Sequence, residues 1–240
     1  MTAKRLQPHI VAALLALAAT AAQAGTVLLV DLEDHTPDQA IGTGGPEVGE
    51  PISAYNCEMT VRSAPLPSNC LEFDDETDYG SGYGTFEFLD DVEITSGTLE
   101  ITATLWFAES DGYSFTVREH GHNAGQFTSI YFAGNGSINV NDVNGSQNDV
   151  ATYETGRAYA LRIEHDLDAG TYDVWWDGVP IVSDRAHGVT EFDGIGRLNI
   201  GISHDSNLDG LMYMDDLLVE SDPVTDNESE SWGGVKAAWR

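Results

Sequence analysis

The chain has 240 residues, 40 of them acidic and 10 basic, a formal net charge of −30 at neutral pH, and 41% apolar positions. That is enough for one large β domain or two small ones. A surface this acidic excludes nucleic acid and anionic membranes as partners, since both need clustered Lys and Arg; it favours cations, held diffusely or at Ca²⁺ sites built from carboxylates and carbonyls.

The first 24 residues read as a secretory signal peptide: Lys4 and Arg5, an apolar Ile10–Ala22 run, and the cleavage pattern Ala22-Gln23-Ala24. The expectation is a secreted, periplasmic or cell-surface protein beginning at Gly25. The apolar run is short for a bilayer span and no second one follows, so no membrane span is expected. Thr26–Leu32 is a short opening strand that ends in the acidic run Asp31 to Asp34. From His35 to Pro67 the chain turns to Gly, Pro, Thr and Glu, with a strand expected at Glu58–Arg62. Cys57 and Cys70 form an even pair in an exported chain, which predicts a structural disulfide. Leu71–Phe73 and Phe86–Val92 are further strand candidates, separated by an acidic, Gly-rich loop.

Regular alternation becomes clear in Thr98–Phe107, where Leu99, Ile101, Ala103, Leu105 and Phe107 share one face and Trp106 lies on the other. Strands follow at Tyr113–Glu119 and Phe127–Ala133. Asn135-Gly136 marks a hairpin to Ser137–Asn141, and Asp142–Asp149 reads as polar loop before a short strand at Ala151–Glu154. The central hairpin is Tyr159–Gly178, with a turn at Asp166 to Gly170 and a second at Asp177-Gly178. Strands at Val179–Ser183, Leu198–Ile202 and Leu211–Glu220 complete the pattern. Sustained helical periodicity is lacking outside the leader. The pattern predicts an all-β, two-sheet antiparallel jelly-roll sandwich over residues 25–221. Residues 222–240 form an acidic linker and a tail with Trp232 and Trp239, read as a docking or sorting segment.

The central hairpin, with I-G-R-L-N-I-G at Ile195–Gly201 and Y-M-D-D-L-L-V at Tyr213–Val219, resembles the concanavalin A-like lectin/glucanase jelly roll. The middle strands are similar to those of laminin-G-type sandwiches. The resemblance spans about Gly97 to Val219 and implies a carbohydrate-binding or surface-adhesion module. The same fold hosts polysaccharide-degrading hydrolases and lyases, and a structural envelope or matrix role is a third reading. The laminarinase-type enzymes of the fold carry Glu-x-Asp-x-(x)-Glu on one strand. Glu87 to Glu93 comes nearest, but Leu89 interrupts the carboxylate face. The arginine, Gln-x-His and tyrosine motifs of jelly-roll alginate lyases are absent, although Arg118, His120 and Tyr131 imitate their composition. No catalytic residue is assigned.

The candidate carbohydrate-binding residues are Trp106, Tyr131 and Trp175, aromatic side chains expected on outer strand faces where a pyranose ring can stack. The candidate calcium ligands are Asp31, Glu33 and Asp34 on the first strand with Asp215 and Asp216 on the last, brought together if the terminal strands pair. His120 and His122 form the lone His-x-His and a weaker transition-metal candidate. A polysaccharide or glycan is the expected partner, Ca²⁺ the expected cofactor.

Overall fold

The computed structural model describes residues 25–41, 45–74, 82–120, 125–142, 145–187, 194–202 and 210–222. The leader, His122 and the tail from residue 223 lie outside them. Fifteen strands follow in order: β1 (Gly25–Val30), β2 (Ser53–Tyr55), β3 (Glu58–Arg62), β4 (Cys70–Asp74), β5 (Gly82–Glu87), β6 (Thr98–Phe107), β7 (Tyr113–Arg118), β8 (Gln126–Phe132), β9 (Ser137–Asp142), β10 (Gly145–Thr152), β11 (Ala158–Asp166), β12 (Thr171–Trp176), β13 (Val179–Ala186), β14 (Arg197–Ile202) and β15 (Leu211–Ser221). An eight-stranded sheet runs β13-β12-β11-β6-β15-β4-β3, with β1 also on β15, and a seven-stranded sheet runs β10-β9-β8-β7-β14-β5-β2. All pairings within the two sheets are antiparallel. Among the described residues no helix is long and apolar enough to cross a membrane.

The alternation read in the sequence is the burial pattern of the strands. In β6 every second residue from Leu99 to Phe107 is buried and those between are half-buried. The inner faces of the two sheets meet in one continuous apolar core. Phe107 sits at its aromatic centre, with ring centroids 5.1, 4.9 and 4.7 Å from Tyr113, Phe132 and Tyr153. Trp176 points inward and stacks on Tyr159 at 4.6 Å, while its neighbour Trp175 faces outward. Burying one such side chain contributes about 1.5–3 kcal/mol. Turn chemistry also holds: Gly170 and Gly178 adopt positive φ at the two turns of the central hairpin.

The terminal strands pair, β1 lying along Leu217–Ser221 of β15. On the same edge of β15, β4 pairs with Leu211–Met214. A bulge between them, with Asp216 at φ 51°, marks the handover.

Three expectations are corrected. The segment Phe86–Val92 is not one strand: β5 ends at Glu87, and Leu89–Asp91 form a 3-10 turn with Asp90 and Asp91 at φ 58° and 55°. Residues 145–149 are not loop but the start of edge strand β10, paired with β9 through backbone bonds. None of its side chains is buried, so it carries no apolar alternation to read. Cys57 and Cys70 are not joined in a disulfide. In the β3–β4 hairpin Arg62 lies opposite Cys70 and Glu58 opposite Asp74. The cysteines therefore sit at opposite ends, about 16 Å apart at the usual rise of a strand, whereas a disulfide needs Cα atoms within about 7 Å. The Cys70 thiol instead donates to the Ala64 carbonyl at 3.4 Å.

Candidate functional site

The two outer faces treat their polar groups in opposite ways. On the eight-stranded sheet, cross-strand neighbours satisfy one another. Arg162 Nε donates to Glu100 at 2.7 Å, and the same guanidinium also bonds Glu164. Arg62 bonds Asp38 at 2.6 Å and Glu72 at 2.8 Å. Trp106 and Trp175 lie on this face, as expected of outer-strand aromatics. Trp106 meets the edge of Tyr213 at 5.4 Å. One face of Trp175 is covered by the Arg162 guanidinium at 4.2 Å. Beside it an open cavity of about 480 Å³ is lined by Thr102, Thr104, Ala160, Arg162, Trp175 and Asp216.

Tyr131 is on the other sheet, so the three candidate sugar-binding aromatics do not form one platform. The register of the seven-stranded sheet sets its outer residues in rows. One row is Tyr55, Tyr83, Gly201, Ser114, Tyr131 and Asn139. Tyr55 and Tyr83 touch at 5.3 Å. Gly201 lets β14 and β5 approach closely: a Cβ there would come within 2.3 Å of the Gly82 carbonyl oxygen and 2.5 Å of the Tyr83 Cα. The next row is Ser53, Thr85, Asn199, Thr116, Ser129 and Asn141. Its neighbouring hydroxyls on Thr116 and Ser129 are hydrogen-bonded at 2.9 Å. Thr85, Thr116, Ser129 and Asn199 are buried although they face away from the core. The side-chain oxygens of Asn199 and Asn141 are buried and accept no hydrogen bond.

A third row ends the face with Glu87, Arg197, Arg118 and Gln126. Arg197 and Arg118 are direct cross-strand neighbours. Arg197 is 5% exposed. Its Nε makes no hydrogen bond, and the Glu87 carboxylate lies 3.8 Å from its Nη1. Burial and then the charge of Arg118 lower its pKa, while Glu87 works the other way.

Around Glu87 the structure gathers groups that the sequence reading singled out separately. The ligand atoms of Glu87, Asp91 and His120 lie within 4.8 Å of one another, and His120 Nδ1, itself without a hydrogen bond, is 3.7 Å from Glu87. One imidazole and two carboxylates can exchange protons with a ligand or hold a cation.

The calcium candidates are placed around the pairing of β1 with β15. Asp215 is buried, and its carboxylate accepts from Ser68 Oγ and from the Asp216 N–H. Its pKa is raised, chiefly by desolvation, with Asp216 and Glu33 adding to the rise. Asp31 accepts from the Glu33 N–H at 3.1 Å. Asp216 is exposed and faces the Trp175 cavity.

The sequence reading missed Arg197, Asn199, Thr85, Ser129 and Asn141. The signal was there: R-L-N-I-G and S-F-T-V-R alternate polar outward with apolar inward. The polar partners of an alternating strand look alike, however, whether solvated or gathered on one floor, and only the register tells them apart.

No family model and no curated protein matches the sequence. Solved structures share the fold. An endo-beta-1,4-glucuronan lyase from the fungus Trichoderma reesei aligns at TM-score 0.55 and 11% identity over 84% of this chain and 98% of its own. A carbohydrate esterase from a Shiga toxin-encoding bacteriophage aligns at 0.56 and 10% over 83% and 100%. A sialidase aligns at 0.56 and 13% over 82% of this chain, which spans only 20% of the sialidase. At such identities the likeness shows the fold: a two-sheet antiparallel sandwich of the jelly-roll kind.

Proposed function

We propose that the protein is an exported, non-catalytic lectin-like module that binds a polysaccharide across the outer face of its seven-stranded sheet. The carrying observation is the row of polar side chains on that face, buried yet facing outward, with the amide oxygens of Asn199 and Asn141 unbonded. A buried acceptor without a partner costs about 1–3 kcal/mol. Sugar hydroxyls, which donate and accept, would remove that cost, and Tyr83 and Tyr131 offer ring surface in the adjoining row. The carbohydrate-active proteins of like fold support a sugar ligand by analogy.

The test is retention of the full chain on immobilised polysaccharides. Tyr131→Ala and Asn199→Ala should each weaken retention about tenfold, the loss of one good contact, and Trp175→Ala should leave it unchanged. Loss of retention in Trp175→Ala alone would move the site to the eight-stranded sheet. A second reading, a polysaccharide-degrading enzyme, is favoured by the meeting of Glu87, Asp91 and His120 at the end of the face. Release of reducing ends or unsaturated products, lost in His120→Gln, would establish it over the first.

A further inference from the structure

The two strands that flank β14 leave the seven-stranded sheet at the same end, and three metal-ligating side chains leave with them. β5 ends at Glu87 and the Leu89–Asp91 turn follows; β7 ends at Arg118, two residues before His120. Gly196, just ahead of β14, ties the two exits together. Its N–H donates to the Arg118 carbonyl at 3.1 Å, and its carbonyl accepts the Phe88 N–H at 3.0 Å. His120 packs directly on it, since a Cβ at Gly196 would come within 2.8 Å of the His120 Cβ. The turn is pinned from its other side as well. The Glu50 N–H donates to the Glu87 carbonyl at 3.1 Å, and the Glu50 carboxylate accepts the Asp90 N–H at 2.9 Å. Backbone bonds therefore fix where Glu87, Asp91 and His120 stand. Their side chains are a different matter: among the described residues none of the three makes a side-chain hydrogen bond. Glu87 turns Oε2 toward His120 Nδ1 at 3.7 Å and Oε1 toward Arg197 Nη1 at 3.8 Å, both beyond hydrogen-bond reach. The Nδ1 atom is enclosed, unbonded and aimed at the carboxylate. We propose that Glu87, Asp91 and His120 bind a divalent transition metal of the Zn²⁺ class.

The chemistry follows from the donor set. An imidazole nitrogen suits zinc, copper, nickel or iron, whereas calcium takes oxygen ligands. Two carboxylates and a neutral imidazole cancel the charge of the ion, and the enclosed Nδ1 gains the partner that it lacks. The three ligand atoms lie within 4.8 Å of one another. A tetrahedral ion with bonds of about 2.0–2.2 Å sets its ligands about 3.3 Å apart, so the side chains close by about 1.5 Å at most. Arg197 sits on the other oxygen of Glu87, where it orients the carboxylate as an outer partner does. Being cationic, it also weakens the site. Asp91 is exposed and the other two ligands are partly so, which leaves the ion a coordination position open to solvent. The inference needs neither reading of the glycan face, because the metal alone is the ligand.

The experiment titrates the full chain, stripped with EDTA, with Zn²⁺ by calorimetry in the presence of Ca²⁺ and Mg²⁺, and follows Co²⁺ by its visible spectrum. The expected result is one Zn²⁺ per chain, bound with a Kd of about micromolar. His120→Gln and Asp91→Asn should each weaken binding about tenfold or more, and the Co²⁺ bands of the wild type should change in His120→Gln. His35→Gln, which removes the imidazole 3.3 Å from Glu47, should leave binding unchanged. No zinc bound, or equal affinity in the wild type and in both site variants, would overturn the inference. Loss in His35→Gln alone would place the ion elsewhere and overturn it too. Asp91 stands on an exposed turn, so Asp91→Asn keeps the test decisive even if His120→Gln fails to fold.

Discussion

The sharpest consequence of the core concerns His165. It lies on the inner face of β11, opposite Leu99 and Tyr172. Its ring stacks on Tyr172 at 5.5 Å, meets Phe127 edge-on at 6.2 Å and faces His187 at 5.9 Å. All four ring nitrogens of the two histidines are buried and unbonded. Desolvation, then the neighbouring His187, pushes the pKa of His165 from 6.5 down to about 3. Desolvation also lowers that of His187, with Asp166 opposing. Between those limits the unfolded chain binds a proton that the folded chain refuses, so stability is fully present above the unfolded pKa and is lost as pH falls. For His165 alone the loss between about pH 8 and pH 5 is about 2 kcal/mol, roughly a thirtyfold drop in the folded-to-unfolded ratio. His165→Phe removes this loss while preserving the aromatic packing. Urea unfolding of both proteins at steps across that range isolates the effect, because shared carboxylates cancel in the difference. The gap should widen in favour of the variant by about 2 kcal/mol as pH falls. A gap constant to within about 0.5 kcal/mol would mean that His165 takes up its proton in the fold as readily as in the unfolded chain, and that the reasoning from burial fails.

Three further outcomes are expected. Asp142, whose side chain is fully enclosed, bonds Arg185 of β13 and accepts from Tyr172 Oη at 3.0 Å, tying the two sheets together; Asp142→Ala should cost about 3–5 kcal/mol in chemical unfolding, and a cost under about 1 kcal/mol would deny the clasp. Burial pushes the Cys70 thiol up to about 11, so the native protein at about pH 8 should resist alkylation at Cys70 and label there only on unfolding, with peptide mapping finding no Cys57–Cys70 bridge. Calcium between β1 and β15 would relieve the mutual repulsion of Asp215, Asp216 and Glu33; the thermal midpoint should rise with millimolar Ca²⁺ over EDTA and the rise should vanish in Asp215→Asn, while equal midpoints in the wild type would discard the clip.

The sandwich was legible because its inner faces obey a period of two. β6, β11 and β12 could be read residue by residue, and so could the partition of Trp175 outward from Trp176 inward. Elements without a buried face were not legible: β10 is held by backbone pairing, which leaves no trace in side-chain pattern. The left-handed Asp90 and Asp91 that end β5 were equally hidden, since aspartate tolerates that conformation without announcing it. The expected disulfide failed for a related reason. An even count in an exported chain predicted a bridge, but a hairpin with Cys57 before one strand and Cys70 opening the next places the two at opposite ends. The candidate site was the least legible part. Glu87, His120 and Arg118 were each visible as residues, but their convergence with Arg197 depends on the order β8-β7-β14-β5, which joins segments about 80 residues apart in the chain.

That order also explains why one outer face reads as a surface and the other as a site. On the eight-stranded sheet, β6, β11 and β15 place Glu100, Arg162, Glu164 and Glu220 side by side. Arg162 closes two of those carboxylates onto itself, which leaves a solvated lattice that needs nothing further. On the seven-stranded sheet, β14 enters between β5 and β7 with arginine, asparagine and glycine outward at alternate positions. Arginine there stands opposite arginine, the asparagine oxygen meets no donor, and glycine lets the neighbouring backbone pack closely. An unbonded buried acceptor such as that asparagine oxygen is unfavourable for folding when taken alone. In register with three hydroxyl side chains, it is what a bound sugar chain would make favourable.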